Sequence, residues 1–305
     1  MTARTGLGPV ELALLDAFDL LGADADGRRV RCSDVLTAVD QRHGIGPRYA
    51  WPVTVDLGVT WRVHLPLLHL YGNAGTQGGN PPADARYLEG RLSPVGALAL
   101  AAERGEVGPV PLGLIEGSLY RGGPVPPFAP HAVVGALLAG RDDCGPPVLP
   151  TGGTVEGDLA ALLSGETVRL RLGCTIRDEI ERLVITEVPL GVDADRIVES
   201  LTHRLRRYER GEGRALAYVR RTDAGSAVLD VRDDTSAHDG LRIVLQIERS
   251  TNVARVLEWV RNVWPVTVEV DVRLPHTQAE RLTGWDRGDG RGLRALADLL
   301  REPTI

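Results

Sequence analysis

The residue types and spacings that could do chemistry gather in one short stretch. Gly72 to Pro82 reads Gly-Asn-Ala-Gly-Thr-Gln-Gly-Gly-Asn-Pro-Pro, almost wholly turn formers, and runs directly into Ala83-Asp-Ala-Arg-Tyr-Leu-Glu-Gly-Arg-Leu-Ser93. Arg86 and Tyr87 therefore stand at the exit of a long shaped loop, just ahead of a helical pattern from Val95 to Arg104. A tyrosine oxygen attacks as the phenolate, and at an unperturbed pKa of ~10 it needs positive charge nearby to reach that form. An adjacent guanidinium supplies such charge and can stabilise negative charge developing on the attacked group. Taken alone, the pair also reads as a snorkelling arginine beside an anchoring aromatic.

Other chemistries are bounded by composition. The 305 residues include no lysine, so all 35 basic residues are arginine. A phosphate-binding loop that needs its lysine and a Schiff-base mechanism are both excluded. Cys32, Cys144 and Cys174 lie far apart, and neither they nor the seven histidines show metal-ligand spacing, which predicts three buried, reduced thiols. Asp230, Asp233, Asp234 and Asp239 form an acidic cluster of the type that suits magnesium. The formal charge of −6 disfavours coating a polyanion with the whole surface and leaves room for a confined arginine patch. No apolar run reaches membrane-spanning length and the first nine residues lack an apolar core, so the expectation is a cytoplasmic protein.

The elements that must position the loop follow from periodicity. Val10, Leu14, Leu15, Phe18 and Leu21 form the stripe of an amphipathic helix. A second helix is predicted from an N-cap at Ser33 to Arg42, broken at His43-Gly-Ile-Gly-Pro47. Trp51 to Val63 reads as strand-like. That order suits a winged helix-turn-helix, among other small arrangements. Gly117 to Pro130 and Gly145 to Gly153 are predicted irregular. Val168–Leu172, Leu183–Val188, Leu241–Ile247 and Val266–Val272 read as strands, with helices at 195–207 and 252–262, making an α+β second half. One more apolar stripe runs from Arg291 to Arg301.

Beyond periodicity, the chain resembles the A subunit of bacterial type IIA topoisomerases, DNA gyrase and topoisomerase IV. The resemblance is strongest at Leu65-Pro-Leu-Leu-His-Leu-Tyr-Gly-Asn-Ala-Gly-Thr76 and the Arg86-Tyr-Leu-Glu-Gly-Arg-Leu-Ser93 segment, where Tyr87 falls on the family's DNA-cleaving tyrosine. Gly113-Leu-Ile-Glu-Gly-Ser118, Pro130-His131, Leu149-Pro-Thr-Gly-Gly153, Ile185-Thr-Glu-Val-Pro189, Val231-Arg-Asp-Asp-Thr-Ser236 and Asp239-Gly-Leu-Arg-Ile-Val244 follow in family order. Together they span roughly Gly6 to Val272.

The resemblance implies an α+β fold: a winged helix-turn-helix domain over residues 1–109, a tower-type α/β domain over 110–290, and a short helical remnant over 291–305. It implies truncation before the family's coiled coil, and no family N-terminal arm. It implies that Tyr87 attacks a DNA phosphate, storing the bond energy in a phosphotyrosine until the strand is resealed, with Arg86 as the charge beside it and Arg91 holding a flanking phosphate. Arg48 and His43 fall at the presumed recognition helix. A loop where the family wedges an isoleucine between base pairs carries Tyr120 or Arg121 instead. The acidic cluster falls on a scaffold turn, so no metal is expected on this chain. Magnesium and ATP are expected on a B-type partner subunit. The implied partners are duplex DNA, a second copy of the chain in a weak homodimer, and that B-type subunit.

The sequence also departs from the family. At the first helix a lysine and both arginines give way to Gly8, Leu12 and Ala13, and an acid, Glu11, arrives. Of the family's His-Pro-His-Gly-Asp-Ser, only His43 and Gly46 remain. Two functions thus stand side by side: a DNA-cleaving protein working with a B-type partner, and a catalytically degenerate protein that binds DNA or modulates gyrase.

Overall fold

The computed structural model describes residues 4–209, 227–236, 240–249 and 252–301. Asp239, part of the acidic cluster, lies outside the described residues. The chain opens with helix α1 (Pro9–Leu20), with Pro9 pre-set for the first turn and Leu14, Leu15 and Phe18 fully buried. Strand β1 (Val30–Arg31) leads into α2 (Cys32–His43), which ends at Gly44 in the left-handed region. The N-cap is Arg31 rather than Ser33, and no side chain caps this helix; the Ser33 hydroxyl turns to Asp34 instead.

The strand expected from Trp51 is corrected here. Residues Pro47–Asp56 form a third helix, α3. The β-branched run Val53-Thr-Val55 suggested a strand, but the buried positions are Ala50 and Thr54, four apart, and the Thr54 hydroxyl donates to the Ala50 carbonyl at 2.9 Å. Pro47 at the first position and the break at Gly46 set the start. Strands β2 (Leu68–Tyr71) and β3 (Glu89–Leu92) follow, separated by the glycine-rich loop and a 3₁₀ turn at Ala85–Tyr87. They join β1 in an antiparallel sheet of order β1-β3-β2. Gly90 sits at its centre because a Cβ there would stand 3.0 Å from the ring of Phe18, so its absence lets α1 close onto the sheet.

Helix α4 (Pro94–Arg104) begins on Ser93, whose hydroxyl accepts from the Gly96 N–H at 3.0 Å, and stops at Gly105. Short α5 (Leu112–Ile115), a 3₁₀ turn at Leu119–Arg121 and α6 (Pro130–Ala139) come next. Strand β4 (Thr154–Glu156), helix α7 (Leu159–Leu163) and strand β5 (Thr167–Gly173) lead to the hairpin β6 (Thr175–Glu179) and β7 (Arg182–Glu187). Helix α8 (Ala194–Glu209), β8 (Val228–Asp233), β9 (Ile243–Ile247), α9 (Val253–Arg261), β10 (Thr267–Arg273), α10 (Gln278–Thr283) and α11 (Arg291–Leu299) complete the described chain. Asp230 and Asp233 thus stand on strand β8 rather than on a turn.

Two further antiparallel sheets form, of order β10-β5-β4 and β6-β7-β9-β8. The fold is mixed α and β with antiparallel pairing. One hydrophobic cluster joins α1 to α7 with β5, β10 and α11, and so runs through position 109 without a break. A second is built from β7, β9, α8 and α9 around Leu183, Ile185, Ile243 and Leu245. Cys32, Cys144 and Cys174 are all buried and free, and burial pushes the Cys144 thiol up to about 11 and Cys32 up to about 12.

The turn into α4 gives a direct test of this packing. A Cβ at Gly96 would lie 2.0 Å from the Leu67 carbonyl oxygen, a rigid backbone atom, whereas one at Gly46 meets open space. Gly96→Ala is expected to cost about 3 kcal/mol or more in urea unfolding, and Gly46→Ala about 1 kcal/mol or less. Equal losses would contradict the close approach of α4 to the strand entering β2.

Candidate active site around Tyr87

The glycine-rich loop is held by its own backbone. The Ala83 N–H donates to the Asn73 carbonyl at 2.9 Å, the Thr76 N–H to the Asn80 carbonyl at 3.1 Å, and the Asn73 side chain accepts from the Gly75 N–H at 2.9 Å. Its tip is fastened to the second half of the molecule. The Gln77 and Gly78 carbonyls accept from the N–H groups of Ala194 and Asp195, the first two residues of α8, at 3.2 and 2.9 Å. Those N–H groups have no partner within their own helix, so the loop satisfies them. Gly79 is required there: its φ is +114°, and a Cβ would stand 2.8 Å from the Asp195 carboxylate.

Past the loop, Asp84 starts the 3₁₀ turn. Its carboxylate accepts from the Arg86 N–H at 3.1 Å and its carbonyl from the Tyr87 N–H at 2.9 Å. The turn presents Tyr87 outward, at 68% exposure, with the Arg86 guanidinium 5.0 Å from its ring centroid. Arg86 also lies 3.5 Å from the Asp84 carboxylate, so a neighbouring acid shares its charge. Sequence reasoning missed Asp84; its signal was an Asp three residues ahead of the tyrosine, the spacing of a side chain that caps a turn. Tyr87 and Arg86 are thus brought together at the surface on a rigidly anchored turn, an arrangement that can offer a phenol to a large external substrate.

The other residues named from sequence lie at several places. Arg91 is on β3 opposite His69, with its Nε shut off from solvent and lacking a hydrogen-bond partner among the described residues. Burial and then the Arg91 charge hold the His69 imidazole below its ordinary pKa. Arg48 is exposed in the first turn of α3, beside Tyr49 at 71% exposure. His43 ends α2 at 3.9 Å from the Asp16 carboxylate, which Arg42 and Arg104 also approach at 3.8 and 3.0 Å.

Tyr120 is half-buried, and Arg121 is tied down by an ion pair. Arg121 pairs with Glu11, itself only 3% exposed, and also donates to the Gly117 carbonyl at 3.2 Å. Tyr120 packs against the first core, and burial pushes its phenol well above the ordinary range. Glu11 therefore faces the interior, where it neutralises Arg121. The acidic stretch on β8 is internally paired, with Arg232 3.7 Å from Asp230 and 3.9 Å from Asp234. Among the described residues no group of three or more histidine, cysteine or acidic side chains could hold a metal ion. No described helix is long and apolar enough to cross a membrane.

Comparison with known proteins gives this arrangement a context. No protein-family model matches the chain. The chain is 26% identical to the A subunit of DNA gyrase from Treponema pallidum (strain Nichols), over 83% of its own length and 34% of that protein. It is 25% identical to the A subunit of DNA topoisomerase 4 from Bacillus subtilis (strain 168), over 85% of its length and 35% of the relative. With the chloroplastic and mitochondrial DNA gyrase A protein of Arabidopsis thaliana the figures are 25%, 83% and 30%. The chain thus resembles the A subunits of type IIA topoisomerases. Among them it is similar both to those of DNA gyrase and to those of topoisomerase IV, and it spans about a third of their length.

Two buried carboxylates, Glu11 and Glu116, can be tested separately. Removing Arg121 leaves Glu11 buried and unpaired, whereas removing the Glu11 charge leaves an arginine that is still one-third exposed. Arg121→Ala is expected to cost about 3 kcal/mol, Glu11→Gln at most about half of that, by thermal unfolding. The reverse order would show that the pair is not seated as described.

Glu116 accepts from the N–H groups of His64 and Leu65, both at 2.8 Å, and burial raises its pKa to about 7. The folded chain then keeps a proton that the unfolded chain releases near pH 4.5, so this group's contribution to stability falls as pH rises from about 4.5 to 7. The shift corresponds to a change on the order of 3 kcal/mol. Glu116→Gln, which cannot ionise, is expected to be less stable than wild type at pH 5, with the gap closing by pH 8. A gap that stays constant across that range would rule out the titration of Glu116.

Proposed function

We propose that the chain is a DNA-binding, type IIA topoisomerase A-like protein in which Tyr87 attacks a DNA phosphate. The observation that carries the reading is the exposed Tyr87 on a turn fixed by Asp84 and by a loop pinned to α8, in a chain similar to the A subunits of gyrase and topoisomerase IV. The topology α1-β1-α2-α3-β2-loop-β3 supports reading residues 1–109 as a winged helix-turn-helix, with α3 as its recognition helix and the loop as its wing. Residues 110–290 are assigned as the tower-type domain, and α11 as a remnant within 291–305.

In this reaction the Tyr87 oxygen forms a bond to phosphorus and the 5′ or 3′ sugar oxygen leaves with a proton; resealing reverses both changes. Arg86 stabilises charge on the phosphate oxygens. Magnesium and ATP are assigned to a B-type partner subunit, as the resemblance implies, and no step is routed through them. The assembly is a weak homodimer joined by that partner on duplex DNA.

A second reading has its own support. Asp84 shares the charge of Arg86, and Glu11 engages Arg121, which leaves fewer free cations for DNA than the family pattern implies. This favours a catalytically degenerate protein that binds DNA or modulates gyrase. A detergent-quenched mixture with supercoiled plasmid, magnesium and a B-type partner separates the two. The first reading expects a covalent protein–DNA adduct that Tyr87→Phe abolishes without loss of duplex affinity, and that Arg86→Ala slows ~100-fold. No adduct from wild type with several B-type partners would leave only the second reading.

A further inference from the structure

The sheet β1-β3-β2 has an inner face on α1 and an outer face whose residues neither reading has used as a group. Register places Arg31, Glu89 and Tyr71 side by side across the three strands, and Arg91 beside His69 in the next outward row. Arg29, two residues before Arg31, reaches over this face, with its guanidinium 3.5 Å from the Tyr71 ring centroid. Arg29, Arg31 and His69 are exposed.

The charge on this face runs against that of the chain. The whole sequence has 41 acids to 35 arginines, yet here three arginines surround one acid, Glu89. Among the described residues eleven other arginines, among them Arg62, Arg104 and Arg242, have a carboxylate within 4 Å, whereas others such as Arg28 and Arg48 do not. Arg29, Arg31 and Arg91 have no such partner among the described residues, and Arg91 keeps a buried Nε with no acceptor. Stacking on Tyr71 restrains Arg29 before anything binds. Burial and the Arg91 charge hold His69 neutral more readily, so the face is arginine-charged and does not depend on histidine protonation.

We infer that this outer face binds the phosphodiester backbone of duplex DNA, with Arg29, Arg31 and Arg91 each neutralising a phosphate. The inference rests on the DNA-binding reading above and deepens it. Strand β3 begins two residues after Tyr87, so a strand delivered to the tyrosine continues over this face. Glu89 sets one repulsive point in the track, which keeps the backbone toward the arginines.

The test uses the full chain and a short fluorescein-labelled duplex, with anisotropy read across a salt series. Replacing Arg29, Arg31 and Arg91 together by Gln is expected to lower the slope of log K against log salt by roughly 3, near one unit per phosphate. Arg31→Gln alone, at an exposed and unpaired position, should lower it by about 1 and serves if the triple variant does not fold. Tyr71→Leu should weaken binding several-fold with the slope unchanged. Arg169→Gln with Arg171→Gln, on the β10-β5-β4 sheet, should change neither.

A triple variant with wild-type affinity and slope would overturn the inference and leave the cleavage reading intact. Loss of slope without any Tyr87 adduct would support the inference and sink that reading. No duplex binding by wild type would remove both.

Discussion

The Gln77 and Gly78 carbonyls and the first N–H groups of α8 form the contact on which the site depends. A loop built of turn formers has little reason to hold one shape, because glycine adds conformational freedom that ordering must remove. The α8 terminus offers unpaired donors, and the loop supplies acceptors at 3.2 and 2.9 Å. Each side satisfies what the other lacks. Since the loop exits directly into the Asp84 turn, the position of Tyr87 is referred to the second half of the molecule as well as to β2 and β3. Gly79 is the point where this contact admits no side chain.

Electrostatics is the second constraint. In an acidic chain without lysine, the site is shaped by which guanidinium is already engaged. Arg121 is committed to Glu11, and Arg86 is shared with Asp84, whereas Arg29, Arg31 and Arg91 have no carboxylate within 4 Å among the described residues. The departures at α1 thus form one physical change: an acid buried beneath the loop at 119–121 pairs with an arginine and fixes that loop to α1. Arg29, Arg31 and Arg91, on the face next to Tyr87, are among the arginines left without a carboxylate partner among the described residues.

Much of this was legible in the sequence for definite reasons. The α1 stripe, α9 and β5 showed in their periodicity because each has one clearly buried side, and the loop showed in its turn-forming composition. Arg86 and Tyr87 were recognisable by type and spacing. Helix α3 was not, because Val53-Thr-Val55 carries a strand-like composition while Ala50 and Thr54 set its buried face. Strand β8 was masked by Asp230 and Asp233, residues of low strand preference that stand at its solvent-exposed positions, with Arg232 3.7 Å from Asp230. The Glu11–Arg121 pair is 110 residues apart in the chain, and the loop contact to α8 spans a similar distance; neither leaves a local pattern to read.

The account turns on one atom, the Tyr87 phenol oxygen, as the point of attachment to DNA. Its most direct test is to trap the adduct, digest both protein and DNA, and locate the residual nucleotide by mass spectrometry. The account predicts a nucleotide on the peptide that contains Tyr87. A nucleotide on Tyr49, Tyr120 or any other residue would contradict it.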